Sequence, residues 1–313
     1  NWVSITEARL TENRAVFPDK PEGTFTFTNL VKDVDYTFLK RYSITESTMV
    51  SPTTVMSVHT TSSSDELDIA KDFGYDTLPN GFIAVEPNSD GNGYIVTFKK
   101  DVRQGATLPD DIGKLIIDLN GFYLAATNGQ NGITFVPSSE QGRVYDPQLF
   151  ADVVIRGAGQ FGPGRVVGGK PTSGIDATHD KEGKLKDKTP APGGIGICAT
   201  GCEGIILTLT NGVEVIGGGY LKNNDGVEFG NGGIGINQKG GKGVDGQPGI
   251  VGNITNLFVS GALVKGGDGG NGGSSTKGNG GNGGNGADAI GGDVTITILK
   301  DATFVGGAGG NGG

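Results

Sequence analysis

The feature that most constrains this chain is a three-residue beat near its C-terminus. Asn279, Asn282 and Asn285 recur every third residue, and every other position from Gly278 to Gly286 is glycine. The same beat is heard at Gly266–Gly273, marked by Asp268 and Asn271, and at Gly306–Gly313, marked by Ala308 and Asn311. A period of three fits neither an α-helix at 3.6 nor a strand at 2. It fits an extended left-handed helix of the polyproline-II kind, which makes no hydrogen bonds within itself. Its N–H and C=O groups therefore need outside partners, either water or neighbouring copies of the run.

Two readings follow. In one, glycine at two positions in three lets several runs pack backbone to backbone. Asp268, Asn271, Asn279, Asn282 and Asn285 then form a polar edge, the candidate binding residues of the chain. In the other, the runs are flexible glycine linkers, since glycine loses the most conformational entropy on ordering. The strict phase and the strand-like segments between the runs favour the bundle, because a linker needs no phase.

The 60 glycines are unevenly spread: 6 fall before residue 111 and 41 from residue 193 onward, while the 13 prolines are too few for collagen. The chain divides into a β-rich part at 1–106, expected to serve attachment or assembly, first solenoid rungs with a long charged loop at 107–192, and a glycine-rich repetitive region at 193–313. A net charge of −9 with no basic patch argues against nucleic acid. No apolar run approaches the 18 or so residues a membrane span needs. The chain opens on Asn1, which reads as a processed or trimmed start with no visible signal peptide. It closes in mid-pattern, so a longer parent protein is an expectation.

In the first part, Thr24–Thr28 alternates with Phe25 and Phe27 on one face, and Tyr36–Leu39 and Tyr94–Phe98 read as strands. Ser63 with Glu66 has capping-box spacing for one helix over about 64–73, with Gly74 as terminator. His59 has no motif around it and reads as a surface or hydrogen-bonded side chain. From residue 107 the style changes. Leu115–Gly121, Ile133–Val136 and Val153–Ile155 are short apolar runs separated by glycine and asparagine turns, among them Asn128-Gly129 and Asn131-Gly132. Later strands, Leu207–Thr210, Leu257–Val264 and Val294–Ile298, lead into glycine pairs at 217, 266 and 306. The pairs stand 49 and 40 residues apart, so the repeat is irregular. In the last unit Val294, Ile296 and Ile298 share one face, expected to be buried, and Thr295 and Thr297 share the other. The fold class that results is mainly β: a β-rich N-terminal domain, then a parallel β-solenoid with polyglycine-II-like inserts.

This pattern of short strands, beginning with the Ile117–Leu124 segment, resembles right-handed β-helix proteins over roughly residues 107–310. The glycine segments resemble the polyglycine-II bundles of phage tail-fibre adhesins, of certain antifreeze proteins and of bacterial surface fibres. Those resemblances imply display at a surface, with loops at the bundle end that bind a receptor or a flat face that binds ice. Gly283–Ile290 resembles the calcium-binding nonapeptide of β-roll proteins, but asparagine takes the acidic place in the other runs, and no metal is expected. No cofactor motif occurs: the glycines lack the Lys-Ser/Thr of a phosphate loop, and there is no Gly-x-Ser-x-Gly elbow. Cys198 and Cys202 read either as a disulfide turned by Gly201 or as two small buried side chains. Asn253-Ile254-Thr255 is a glycosylation sequon by pattern.

The function expected from these features is non-enzymatic. The chain reads as an extracellular, cell-surface or virion-surface structural or adhesion protein. It would form a rigid shaft that self-associates, joins a fibre or virion partner, or binds a cell-surface glycan or protein. The alternative is a β-helix lyase or hydrolase acting on polysaccharide. Asp118, Asp176 and Asp180 are its only nominees, and His179 with Glu182 lies in the same charged loop, which otherwise reads as a solvated excursion. An ice-binding face would need more threonines in register than Thr295 and Thr297 supply.

Overall fold

The computed structural model describes residues 35–40, 54–59, 64–78, 80–89, 93–137, 150–172, 191–219, 221–222, 228–229 and 240–313. The chain divides into two compact units, Asn1–Ser64 and Asp65–Gly313. In the first unit, β1 (Asp35–Lys40) and β2 (Thr54–His59) pair antiparallel, with Asp35 opposite His59 and Lys40 opposite Thr54. The strand expected at Tyr36–Leu39 lies within β1. The alternating segment at Thr24–Thr28 and the side chain of His59 fall outside the described residues.

The second unit opens within α1 (Ser64–Asp72), at Asp65. The helix ends as its sequence dictates. Gly74 adopts φ +81°, its N–H donates to the Lys71 carbonyl, and the Tyr75 N–H reaches back to Ala70. This is a Schellman stop, which a residue with a Cβ adopts only with strain. The buried face of α1 carries Ile69 and Ala70 into the core, and just past its end the Phe73 ring meets Phe98 edge-on at 5.9 Å.

Short parallel strands follow, taken in turn by three sheets. The seven-stranded sheet contains β3 (Ile83–Pro87), β4 (Tyr94–Phe98), β6 (Lys114–Asp118), β9 (Asp152–Arg156), β12 (Ile205–Thr210), β17 (Ile254–Ser260) and β20 (Val294–Lys300). A second sheet stacks β7 (Tyr123–Ala125), β10 (Arg165–Val167), β13 (Glu214–Ile216), β18 (Leu263–Lys265) and β21 (Thr303–Val305). The third stacks β5 (Ala106–Pro109), β8 (Ile133–Val136), β11 (Ile197–Ala199), β16 (Ile250–Gly252) and β19 (Ile290–Gly291). The small pair β14 (Leu221–Lys222) and β15 (Glu228–Phe229) lies outside these stacks. From β4 onward every pairing in the three sheets is parallel; β3 alone runs antiparallel, against β4 at one edge. The protein is a mainly-β, stacked parallel solenoid. Its parallel stack begins before residue 107, since β4 already pairs with β6.

The core explains why three-residue strands hold. Leu124, Val166, Val215 and Val264 sit in register one above the next, each fully buried, with Phe304 completing the column. Full burial of one aliphatic side chain stabilises by about 1.5–3 kcal/mol. Such a strand cannot stand alone, and its stability comes from the rungs on either side. At the corner after the seven-stranded sheet, Asn120 (φ 49°) and Asn211 (φ 52°) take the left-handed conformation that asparagine tolerates better than most residues.

The last rung departs from expectation. Ile296 and Ile298 align with the buried Leu257 and Val259, so they do face inward, yet Ile296 is 43% and Ile298 60% exposed. Nothing among the described residues covers them, because β19, β20 and β21 are the outer strands of all three sheets.

Candidate functional site

All the glycine runs leave the solenoid at one corner, between the second sheet and the third. There Lys265 of β18 leads out to 266 and β19 resumes at Ile290; Ile216 of β13 leads out and β16 resumes at Ile250. Four runs result: run A (240–248), run B (266–274), run C (278–288) and run D (306–313).

Their backbones hydrogen-bond to one another every third residue. Run B donates to run A from Gly267, Gly270 and Gly273 to the carbonyls of Gln247, Val244 and Gly241, each at 2.8 Å. Run C donates to run B from Gly281, Gly284 and Ala287 at 2.8, 2.7 and 3.0 Å. Run D donates to run C from Gly307, Gly310 and Gly313 at 2.7, 2.8 and 2.9 Å. In each pair the numbering runs in opposite senses, so successive runs are antiparallel. A second set of bonds is parallel and skips one run. Gly240, Gly243 and Gly246 of run A donate to Asn279, Asn282 and Asn285 of run C, and Gly269 and Gly272 of run B donate to Ala308 and Asn311 of run D. Runs A and C thus form one row, and B and D a second, bonded within rows and between them.

The ladder is older in the chain than the glycine beat. Gly169 donates to Gln130, Gly194 to Gly169, Gly218 to Gly194 and Gln247 to Gly218, all between 2.7 and 2.9 Å. From there the chain of bonds passes through Gly267 and Ala287 to Gly307.

The two-in-three rule for glycine has a steric cause. A Cβ at the first place of a triplet would strike the next run: at Gly272 it would lie 2.5 Å from the Gly281 carbonyl carbon and 2.8 Å from the Asn282 oxygen. A Cβ at the second place would strike the run two earlier: at Gly310 it would overlap the Gly270 carbonyl and lie 2.9 Å from the Gly269 oxygen. Where both of those runs lie alongside, the third place is the one left for a side chain.

The third-place residues are the expected polar edge, and they divide into two sets. Asp268 Oδ1 accepts the Ala308 N–H at 2.9 Å while Lys265 Nζ lies 3.2 Å from its other oxygen. Asn271 Oδ1 accepts the Asn311 N–H at 2.9 Å. These two side chains therefore brace run B against run D. Asn279, Asn282 and Asn285 are exposed; their carbonyls bind run A, and the Asn285 N–H is taken by Asp245 Oδ1 at 2.7 Å. Asp245, which braces run A against run C, is not among the edge residues expected from the sequence. Its run, Gly240-Gly241-Lys242-Gly243-Val244-Asp245-Gly246, keeps the beat, but Val244 in a glycine place hides it. Hydrogen bonds from Lys242 Nζ, then from the Asn285 N–H, hold the Asp245 carboxyl below its ordinary value against a small opposing effect of burial.

Of the carboxylates nominated for an enzyme, Asp118 is tied to Arg156, whose Nε lies 3.0 Å away as an ion pair without the angle of a hydrogen bond. Asp176 and Asp180, with His179 and Glu182, fall outside the described residues. Cys198 and Cys202 are free thiols, Cys198 partly exposed and Cys202 buried, with Gly201 turning the chain between them at φ +82°. Among the described residues no group of three or more His, Cys, Asp or Glu is placed to hold a metal, and no helix is long and apolar enough to cross a membrane. No protein-family model matches the chain, and no curated protein or solved structure matches it either.

Proposed function

We propose that this chain is a non-enzymatic structural or adhesion protein of an extracellular, cell or virion surface, in which the glycine runs form a polyglycine-II bundle that stiffens a solenoid shaft. The observation that carries the reading is the unbroken ladder of backbone bonds between successive passes of the chain, from Gln130 to Gly307. A bundle whose interior is backbone has few side-chain rotamers to freeze, so rigidity costs little side-chain entropy. It also offers a protease little slack chain. The edge asparagines Asn279, Asn282 and Asn285 are open to solvent and available to a self-association, fibre or virion partner, or to a cell-surface glycan or protein.

The test combines imaging with an activity screen. Negative-stain images of the purified protein should show a stiff particle or its assemblies, and the glycine region should survive a protease that cuts flexible chain. Incubation with surface polysaccharides should release no new reducing ends or unsaturated sugars. Release of either would replace this reading with the lyase or hydrolase alternative.

A further inference from the structure

The bonding rule of the glycine runs stops unfinished at one face. In the rule, first-place N–H groups of a run donate to the run two later, as A does to C and B to D. The first-place N–H groups of run C, at Gly280, Gly283 and Gly286, have no partner among the described residues. Second-place carbonyls accept from the next run, yet those of Gly307 and Gly310 in run D accept from no backbone N–H among the described residues. Third-place side chains accept from the run two later, as Asp245, Asp268 and Asn271 do; Asn282 and Asn285 point the same functional group at solvent.

The glycines record the same gap. At the first places of run B, a Cβ on Gly269 would lie 2.6 Å from the Gly284 carbonyl carbon. At the equivalent places of run D, a Cβ on Gly306, Gly309 or Gly312 would meet nothing nearer than 3.7, 3.8 and 3.8 Å. None of these three has a left-handed φ that calls for glycine. They are glycines with the steric requirement missing. On the same end rung lie the inward side chains Ile296, Ile298 and the half-buried Val294, on β20, the open edge of the seven-stranded sheet.

We infer that this face docks a polypeptide segment of the chain's own rung chemistry: x-Gly-Gly triplets followed by an aliphatic strand, in the order of run C and β20. The glycine part seats as a fifth run, antiparallel to run D and parallel to run C. Its second-place N–H groups bond the carbonyls of Gly307 and Gly310, and its third-place carbonyls take the N–H groups of Gly283 and Gly286. Asn282 and Asn285 accept its third-place N–H groups. A closed two-fold pairing of two end faces fits worse, because it brings the free carbonyls of one run D against the free carbonyls of the other. The inference rests on the bundle reading above and extends it by naming the partner's chemistry.

The probe is a synthetic peptide of residues 278–300, which is run C followed by β19 and β20, added to the full chain. Hydrogen exchange is read at single amides. Binding should slow exchange at Gly283 and Gly286 by at least about tenfold, a change worth about 1.4 kcal/mol. Gly309→Val and Gly312→Val fill the empty first places of run D, so each should keep the parent melting temperature and abolish the added protection. If the peptide gives no protection at Gly283 and Gly286, or protects Gly309→Val and Gly312→Val equally, the inference is overturned. Concentration-dependent dimers in sedimentation, lost in Gly309→Val and without peptide binding, would overturn it in favour of a second copy. Free exchange at Gly270 and Gly284 in the parent would instead sink the bundle itself.

Discussion

Gly269→Ala and Gly309→Ala make the same chemical change in matching triplets of runs B and D, and the account gives them opposite signs. Removing a glycine normally stabilises by about 0.4–1 kcal/mol, because the unfolded chain loses freedom. At Gly309 nothing opposes that gain, since the new Cβ would come no nearer than 3.8 Å to the Gly284 oxygen. At Gly269 the new Cβ would meet backbone on all sides, the Gly284 carbonyl and the Asn285 carbonyl carbon at 2.8 Å, and none of it is a flexible side chain. Overpacking of this kind costs about 1–3 kcal/mol. Forcing runs B and C apart also strains the bond from Gly284 to Gly270, now 2.7 Å, worth about 1 kcal/mol net. The balance is a loss of about 2 kcal/mol, or about 4–8 °C in Tm for a unit of this size. Circular dichroism melts of both variants beside the parent are the assay, with protease sensitivity as a local readout because stacked repeats need not melt in one step. A Gly269→Ala protein as stable as Gly309→Ala would refute the steric account of the glycine rule.

Three further outcomes are expected. Asn271→Leu should lower stability by about 1 kcal/mol, since it removes the acceptor for the Asn311 N–H, whereas Asn282→Leu on the exposed edge should change the parent melt little. Leu257→Ala should cost about 2–5 kcal/mol by leaving a cavity, while Ile298→Ala on the uncovered rung should cost far less in urea titrations. Because the Asp245 carboxyl is held below its ordinary value in the folded chain, its contribution is fully present above the unfolded pKa and is lost as pH falls through the lower folded one. Acidification below the usual carboxylate range should therefore speed exchange at the Asn285 amide, and Asp245→Asn should remove that acid response.

The strands of the solenoid were legible because their apolar residues carry the signal directly: Leu207–Thr210 alternates, Val153–Ile155 is a short unbroken apolar run, and both are core strands. The helix stop at Gly74 was legible for the same reason, as one residue type answers one backbone need. The partition of the edge was not. Asn271 and Asn282 stand in identical triplets, and what separates a bracing side chain from an exposed one is whether a run follows two places later. That is a property of the stack and not of the local sequence. Run A stayed hidden because Val244, buried in the structure, takes a place that Gly270 and Gly284 hold in the following runs. The exposure of Ile296 and Ile298 was likewise unreadable, since their alternation faces them inward whether or not a further rung covers them.

Amide exchange through the four runs tests the central claim most directly. The account predicts slow exchange at Gly270, Gly273, Gly281 and Gly284, whose N–H groups bond a neighbouring run, and fast exchange at Gly283 and Gly286, giving a protection pattern with a period of three. Uniform exchange at the rate of an unfolded peptide across residues 266–288 would contradict it.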